Sequence, residues 1–172
     1  VSAERWRDAG LVLRDTLGMD HFGFLSAIDW MPSPYGRGED EPGQEVERPT
    51  EIVQGYAGGE TRFQVFARVS STTLHYGITI KADVGDDMTV PSWIPVYAGA
   101  NWHERECHEM FGISFAEHPN LINMYLPTGF EGYPLRKDFP LLSRIIKPWP
   151  GIVDVEPLPG DDDDAEGEGD AS

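Results

Sequence analysis

Seven consecutive positions, His103, Glu104, Arg105, Glu106, Cys107, His108 and Glu109, gather imidazole, thiol and carboxylate side chains in one stretch. These are the ligand types that hold transition metals, and the same groups do acid/base and nucleophilic work. The spacing opposes both uses. A zinc-binding HExxH pair puts its two histidines four apart on one helical face, whereas His103 and His108 are five apart, about 140° round a helix of 3.6 residues per turn. Cys107 and His108 are adjacent and point about 100° apart, so the imidazole is badly placed to act as base for the thiol. Cys107 therefore reads as a half-buried structural thiol. Glu104, Glu106 and Glu109 read as partners for Arg105 and Arg136 in an ion-pair network. A stand-alone metal-dependent hydrolase built on this cluster is the alternative, and metal analysis of the isolated chain would decide it.

Other chemistry is poorly supported. Neither G-x-x-x-x-G-K-[ST] nor G-x-G-x-x-G occurs, and the glycines of GYAGGE at residues 55–60 have the wrong spacing. One cysteine excludes an internal disulfide and a self-supplied cysteine-rich cluster. With 30 acidic against 13 basic residues the formal charge is −17, which repels nucleic-acid phosphates and anionic headgroups. From Asp154 onward there are nine acids and no base, so about half the charge lies at the C-terminal end and −8 remains on residues 1–153. No run approaches the roughly 20 apolar residues of a membrane span, and the first ten residues lack the apolar core of a signal peptide. The chain reads as soluble and unexported. It opens with Val1, so the natural N-terminus is expected upstream.

The elements that must position these groups follow from periodicity. Trp6, Leu13 and Leu17 recur at helical spacing within residues 3–17, with Gly18 as the stop. Residues 22–30 form a short aromatic-rich strand ended by Pro32 and Pro34. Residues 31–50 read as a surface loop, and residues 62–69 and 74–82 as a hairpin across Ser70, Ser71, Thr72 and Thr73. Ser92 is placed to cap a short turn, and Asn101 to cap a second helix over 102–111 that ends at Gly112. Eight prolines from Pro119 to Pro159 prevent long regular elements beyond that point. The expected architecture is a single α+β domain at 1–113 with a small mixed or antiparallel sheet and flanking helices, an irregular proline-rich arm at 114–160 that packs on partner subunits, and an acidic tail at 161–172. The tail has too little apolar surface to offset its ordering entropy, so basic residues of a partner are expected to hold it.

One stretch is too particular for a generic domain: ANWHERECHEMFGISFAEHPNLINMYLPTGFEGYPLRKDFPL, residues 100–141. It resembles the signature region of the C-subunit (30 kDa subunit) family of bacterial type-1 NADH:quinone oxidoreductase, respiratory complex I. The resemblance rests on Trp102 before Glu104-Arg105-Glu106, then Met110-Phe111-Gly112-Ile113, His118-Pro119, Leu126-Pro127, Glu131-Gly132, Pro134-Leu135-Arg136-Lys137-Asp138 and Pro140-Leu141. The strand ending Ala27-Ile28-Asp29-Trp30 resembles the family's first strand, although a proline-rich insertion follows it here. His108, Glu109, Tyr133 and the Ile122-Asn123 pair depart from the residues usual in the family.

The resemblance implies a non-catalytic subunit without flavin, iron-sulfur centre or metal of its own. It implies a peripheral position on the cytoplasmic side of the cell membrane, packed on the D subunit that helps form the quinone site, with FMN and iron-sulfur clusters in partner subunits. Trp102, Glu104, Arg105, Glu106, Phe111, His118, Pro134, Arg136, Lys137 and Asp138 are the structural or subunit-interface positions it implies. A related subunit of a membrane-bound hydrogenase-type complex is the alternative, and neighbouring genes would separate the two.

Overall fold

Burying one face of a short sheet against two amphipathic helices is the organising event of the chain. The computed structural model describes residues 1–32, 50–53 and 59–140. A 3-10 turn at Ala3–Arg5 leads into α1 (Trp6–Asp15), which buries Trp6, Gly10 and Leu13. Trp6 and Leu13 belong to the helical stripe expected from the sequence, whereas Leu17 lies beyond the end of the helix and is exposed. Gly18 then takes a left-handed φ of 64° and turns the chain toward the sheet.

Strands β1 (His21–Asp29), β2 (Phe63–Ser71) and β3 (Tyr76–Asp83) form an antiparallel sheet in the order β1-β2-β3. Leu25 lies opposite Ala67, and Ala67 opposite Ile80. Leu25 and Ala27 of β1, Val65, Ala67 and Val69 of β2, and Ala82 of β3 are buried, as period-two alternation requires. β2 and β3 make the expected hairpin. The strands run further into the Ser/Thr cluster than composition suggested, because Ser70 pairs with Gly77 and Ser71 with Tyr76. Ladder pairing overrides the turn propensity of serine there.

Two short strands, β4 (Thr89–Pro91) and β5 (Ser114–Ala116), pair in parallel and were not anticipated. Between them, the Ser92 Oγ accepts the Ile94 N–H at 3.2 Å, the capped turn expected at that position. Next comes α2 (Ala100–Phe111). Asn101 is not its cap. The Ala100 N–H donates to Tyr97 O and the Asn101 N–H to Ala98 O, so the preceding turn already satisfies the first donors and the N-cap falls on Gly99 without a side-chain bond. Gly112 ends the helix in the left-handed region at φ 77°, as expected.

The inward sheet face and the buried stripes of both helices form one core, with the rings of Trp6 and Trp93 stacked at 4.5 Å. The α+β class, small antiparallel sheet and flanking helices agree with the sequence reading. After β5 the described chain to residue 140 contains no helix or strand. Most of the expected surface loop, residues 141–160 of the arm and the acidic tail lie outside the described residues. None of the described helices is long and apolar enough to cross a membrane.

Candidate functional site

α2 carries the chemically suggestive residues, and its two flanks use them differently. Toward the core, Glu104 is 0% exposed. Its carboxylate accepts the Ser92 hydroxyl at 2.7 Å and the Trp93 N–H. Burial pushes its pKa up to about 7, and the two hydrogen bonds and the nearby Arg7 only partly oppose that. Arg7 closes the far side of the same turn, with its Nε donating to Ser92 O at 2.8 Å and its Nη1 to Glu117 at 2.9 Å. Cys107 is fully rather than half buried. Burial raises its thiol pKa, and the charges of Glu106 and Glu104 add to the effect.

The two histidines serve separate sites, as their five-residue spacing suggested. The ring Nδ1 of His103 meets Leu25 O at 3.1 Å, and that of His108 meets Ile113 O at 2.9 Å. Since a carbonyl only accepts, each Nδ1 carries the proton. Among the described residues no three His, Cys, Asp or Glu side chains converge as metal ligands would.

On the opposite flank, α2 grips the segment 122–126. The Arg105 guanidinium donates to Ile122 O at 2.9 Å and Asn123 O at 3.3 Å. One turn on, the Glu109 carboxylate accepts the N–H groups of Met124 at 2.9 Å, Tyr125 at 3.1 Å and Leu126. Burial alone would raise the Glu109 pKa, and these amides outweigh it and hold the group low. Beside this flank Trp102 is 68% exposed, Ile122 54% and Tyr125 61%.

A third group ties residues 133–138 to the sheet. Asp29, whose side chain is 0% exposed, accepts both Arg62 Nε at 2.9 Å and Nη2 at 2.7 Å, and also the N–H of Lys137 at 2.8 Å. Arg62 also pairs with Asp138 at 2.9 Å. Arg136 donates to Phe111 O at 2.7 Å and lies over the rings of Tyr133 and Phe63 at 4.3 and 5.1 Å.

The ion pairs expected of Glu104, Glu106 and Glu109 with Arg105 and Arg136 are therefore corrected: none forms among the described residues. Glu104, Arg105 and Arg136 take hydroxyl and backbone partners, because the irregular segments around α2 leave amides and carbonyls that need them. Asp138 does form an ion pair, with Arg62. Of the other expected positions, Phe111 is buried in the core, and Pro134 and Glu106 are half-buried. His118 receives the Asn120 N–H on Nδ1 at 3.0 Å and approaches Asn101 O with Nε2 at 3.3 Å.

Asp29, Arg62 and the grip of Glu109 were missed. An acid at an inward position after Leu25 and Ala27 was the available signal for Asp29. For Glu109 it was its place one turn after Arg105.

The chain is a small α+β domain whose buried carboxylates hold its own backbone, with the rings of Trp102 and Tyr125 standing open beside α2. The chain belongs to the respiratory-chain NADH dehydrogenase 30 kDa subunit family, whose pattern it matches over residues 1–144. It is 45% identical over 90 residues to the C subunits of the NADH-quinone oxidoreductases of Brucella ovis, Brucella canis and Brucella melitensis, a stretch covering 52% of this chain and 45% of each relative. The match thus spans less than half the length of these curated relatives. The solved trypsin-resistant fragment (1-134) of Nqo5 superposes with a TM-score of 0.48 at 19% identity, over 70% of this chain and 79% of the fragment.

Proposed function

We propose that this chain is the C subunit of a proton-translocating NADH:quinone oxidoreductase, a non-catalytic part of the peripheral arm. It packs on the D subunit on the cytoplasmic side of the membrane, with FMN and iron-sulfur clusters in partner subunits and the quinone site outside this chain. Electrons from NADH reach quinone through those partners, and this subunit keeps their arrangement.

One observation carries the reading. Trp102, Ile122 and Tyr125 are each more than half exposed along a flank where Arg105 and Glu109 are already committed to the chain's own backbone. Exposed aromatic side chains held on a rigid support are the anchors typical of protein interfaces. Family membership supports an oxidoreductase complex as the setting.

The experiment is purification of the tagged full chain from its own host. The expected result is co-purification of an identified D subunit with NADH:quinone activity, while the isolated chain oxidises no NADH and carries no stoichiometric metal or flavin. Stoichiometric metal in the isolated chain, or a purified complex that evolves hydrogen and lacks NADH oxidation, would overturn the proposal.

A further inference from the structure

Resting on the docking reading above, we infer that Arg105 and Glu109 are positioning residues: they fix residues 122–126 so that Ile122 and Tyr125 stand with Trp102 as one face, and this face receives an Arg or Lys side chain of a partner subunit, stacked on Trp102 and paired with Glu106.

The two side chains divide one peptide segment by polarity. Arg105 takes the carbonyls of Ile122 and Asn123, and Glu109 takes the amides of Met124, Tyr125 and Leu126. Five consecutive residues are thus held through their backbone by two groups four apart on one helix. The segment has no helix or strand of its own and lies between Pro119 and Pro127. Without the grip it would sample many conformations, and the entropy lost on docking would be subtracted from affinity. With the grip, that ordering is complete before the partner arrives.

The occupant follows from the charges around Trp102. Glu106 lies one turn further on the same helical face and has no hydrogen-bond partner among the described residues, whereas the neighbouring Arg105 is committed to carbonyls. An open indole face beside a carboxylate binds a guanidinium or ammonium by cation–π contact and ion pairing together. The formal charge of −17 favours the same sign of partner at longer range.

The test measures the affinity of purified full-length variants for a preparation of the complex depleted of this subunit, across a salt series, alongside amide hydrogen exchange at residues 124–126. Trp102→Ala, Tyr125→Ala and Glu106→Gln should each weaken rebinding, the first two at least about tenfold, and leave the amide exchange unchanged. Glu106→Gln should also flatten the salt dependence. Glu109→Ala should weaken rebinding and speed exchange at the three amides. Arg105→Gln makes the same test at a half-exposed position should Glu109→Ala fail to fold. In a chain already carrying Ile122→Ala and Tyr125→Ala, Arg105→Gln should have little further effect on rebinding. An equal loss from Arg105→Gln with or without Ile122 and Tyr125 would overturn the positioning role, and an unchanged salt dependence in Glu106→Gln would overturn the cationic partner. Normal rebinding by both Trp102→Ala and Tyr125→Ala would remove the docking reading itself.

Discussion

At mildly alkaline pH a Glu104→Gln chain should be more stable than its parent, although Glu104 is 0% exposed and bonded to Ser92 and Trp93. The reason is the cost of the buried charge. Burial lifts the folded-state pKa from an ordinary 4.5 to about 7. Between those values the folded chain holds a proton that unfolding releases, so stability falls as pH rises through the window. The full fall is about 3 kcal/mol, at roughly 1.4 kcal/mol per pH unit. Above the folded pKa both states are ionised and the loss is complete.

Glutamine keeps the shape and the acceptor for the Trp93 amide, and the Ser92 hydroxyl can reverse to accept from the new amide. Near about pH 5.5 the two chains should therefore differ by no more than about 1 kcal/mol. By about pH 8 the parent should have lost roughly 2 kcal/mol that the variant keeps. Urea unfolding of the full chain at several pH values, kept above the sequence pI of about 4.4 to limit precipitation, reads this directly. Glu104→Leu is the contrast, since it leaves the Trp93 N–H and the Ser92 hydroxyl buried and without their acceptor, at a cost of about 1–3 kcal/mol for each group so stranded. Parallel stability curves for parent and Glu104→Gln from about pH 5.5 to 8 would refute the buried-charge argument.

Three further outcomes follow from the same geometry. Arg62→Ala strands the buried Asp29 carboxylate, which keeps the amides of Lys137 and Met31; the loss in denaturant unfolding should be about 3 kcal/mol, the low end for breaking a buried pair. Burial alone would raise the Asp29 pKa, but Arg62 and these amides hold it low, so the parent should lose this stability as pH falls through the low folded value, whereas Arg62→Ala should lose less. Gly112→Ala places a Cβ 2.5 Å from Arg136 Nη2 and 2.7 Å from the Tyr133 ring at a φ of 77°, and should lower the thermal midpoint by several degrees, reflecting at least about 1 kcal/mol. Cys107, buried and with its thiol pKa raised, should resist a thiol reagent in the native chain and react at once in denaturant; rapid labelling without unfolding would contradict its placement.

What the sequence revealed depended on the range of the interaction. The end of α2 was legible to the residue because a terminal glycine is a local signal, and the residues that start it were misplaced because backbone carbonyls replaced the expected side-chain cap. The hairpin was legible for the same local reason. β4 and β5 were not, since each has three residues and its parallel partner lies beyond the whole of α2. The histidine spacing told correctly that His103 and His108 face different neighbours. The partners of Glu104 could not be read, because Ser92 and the Trp93 amide reach it only through the tertiary packing of the intervening turn.

The buried carboxylates share one task, and it explains why a stretch so rich in reactive side chains is used structurally. Each accepts backbone N–H groups from a segment that has no ladder: Glu104 from the turn after β4, Glu109 from residues 124–126, and Asp29 from Lys137, 108 positions along the chain. Segments broken by proline cannot satisfy their amides with one another, and a buried unpaired amide costs about as much as a lost hydrogen bond. An acceptor on a rigid element removes that cost and fixes the segment at the same time. A carboxylate used in this way has its position fixed by the segment it holds. Around α2, the side chains outside this bonding, Trp102, the half-buried Glu106, Ile122 and Tyr125, can still make contacts, so the surface this helix offers a partner is set by which residues the internal bonding leaves unused.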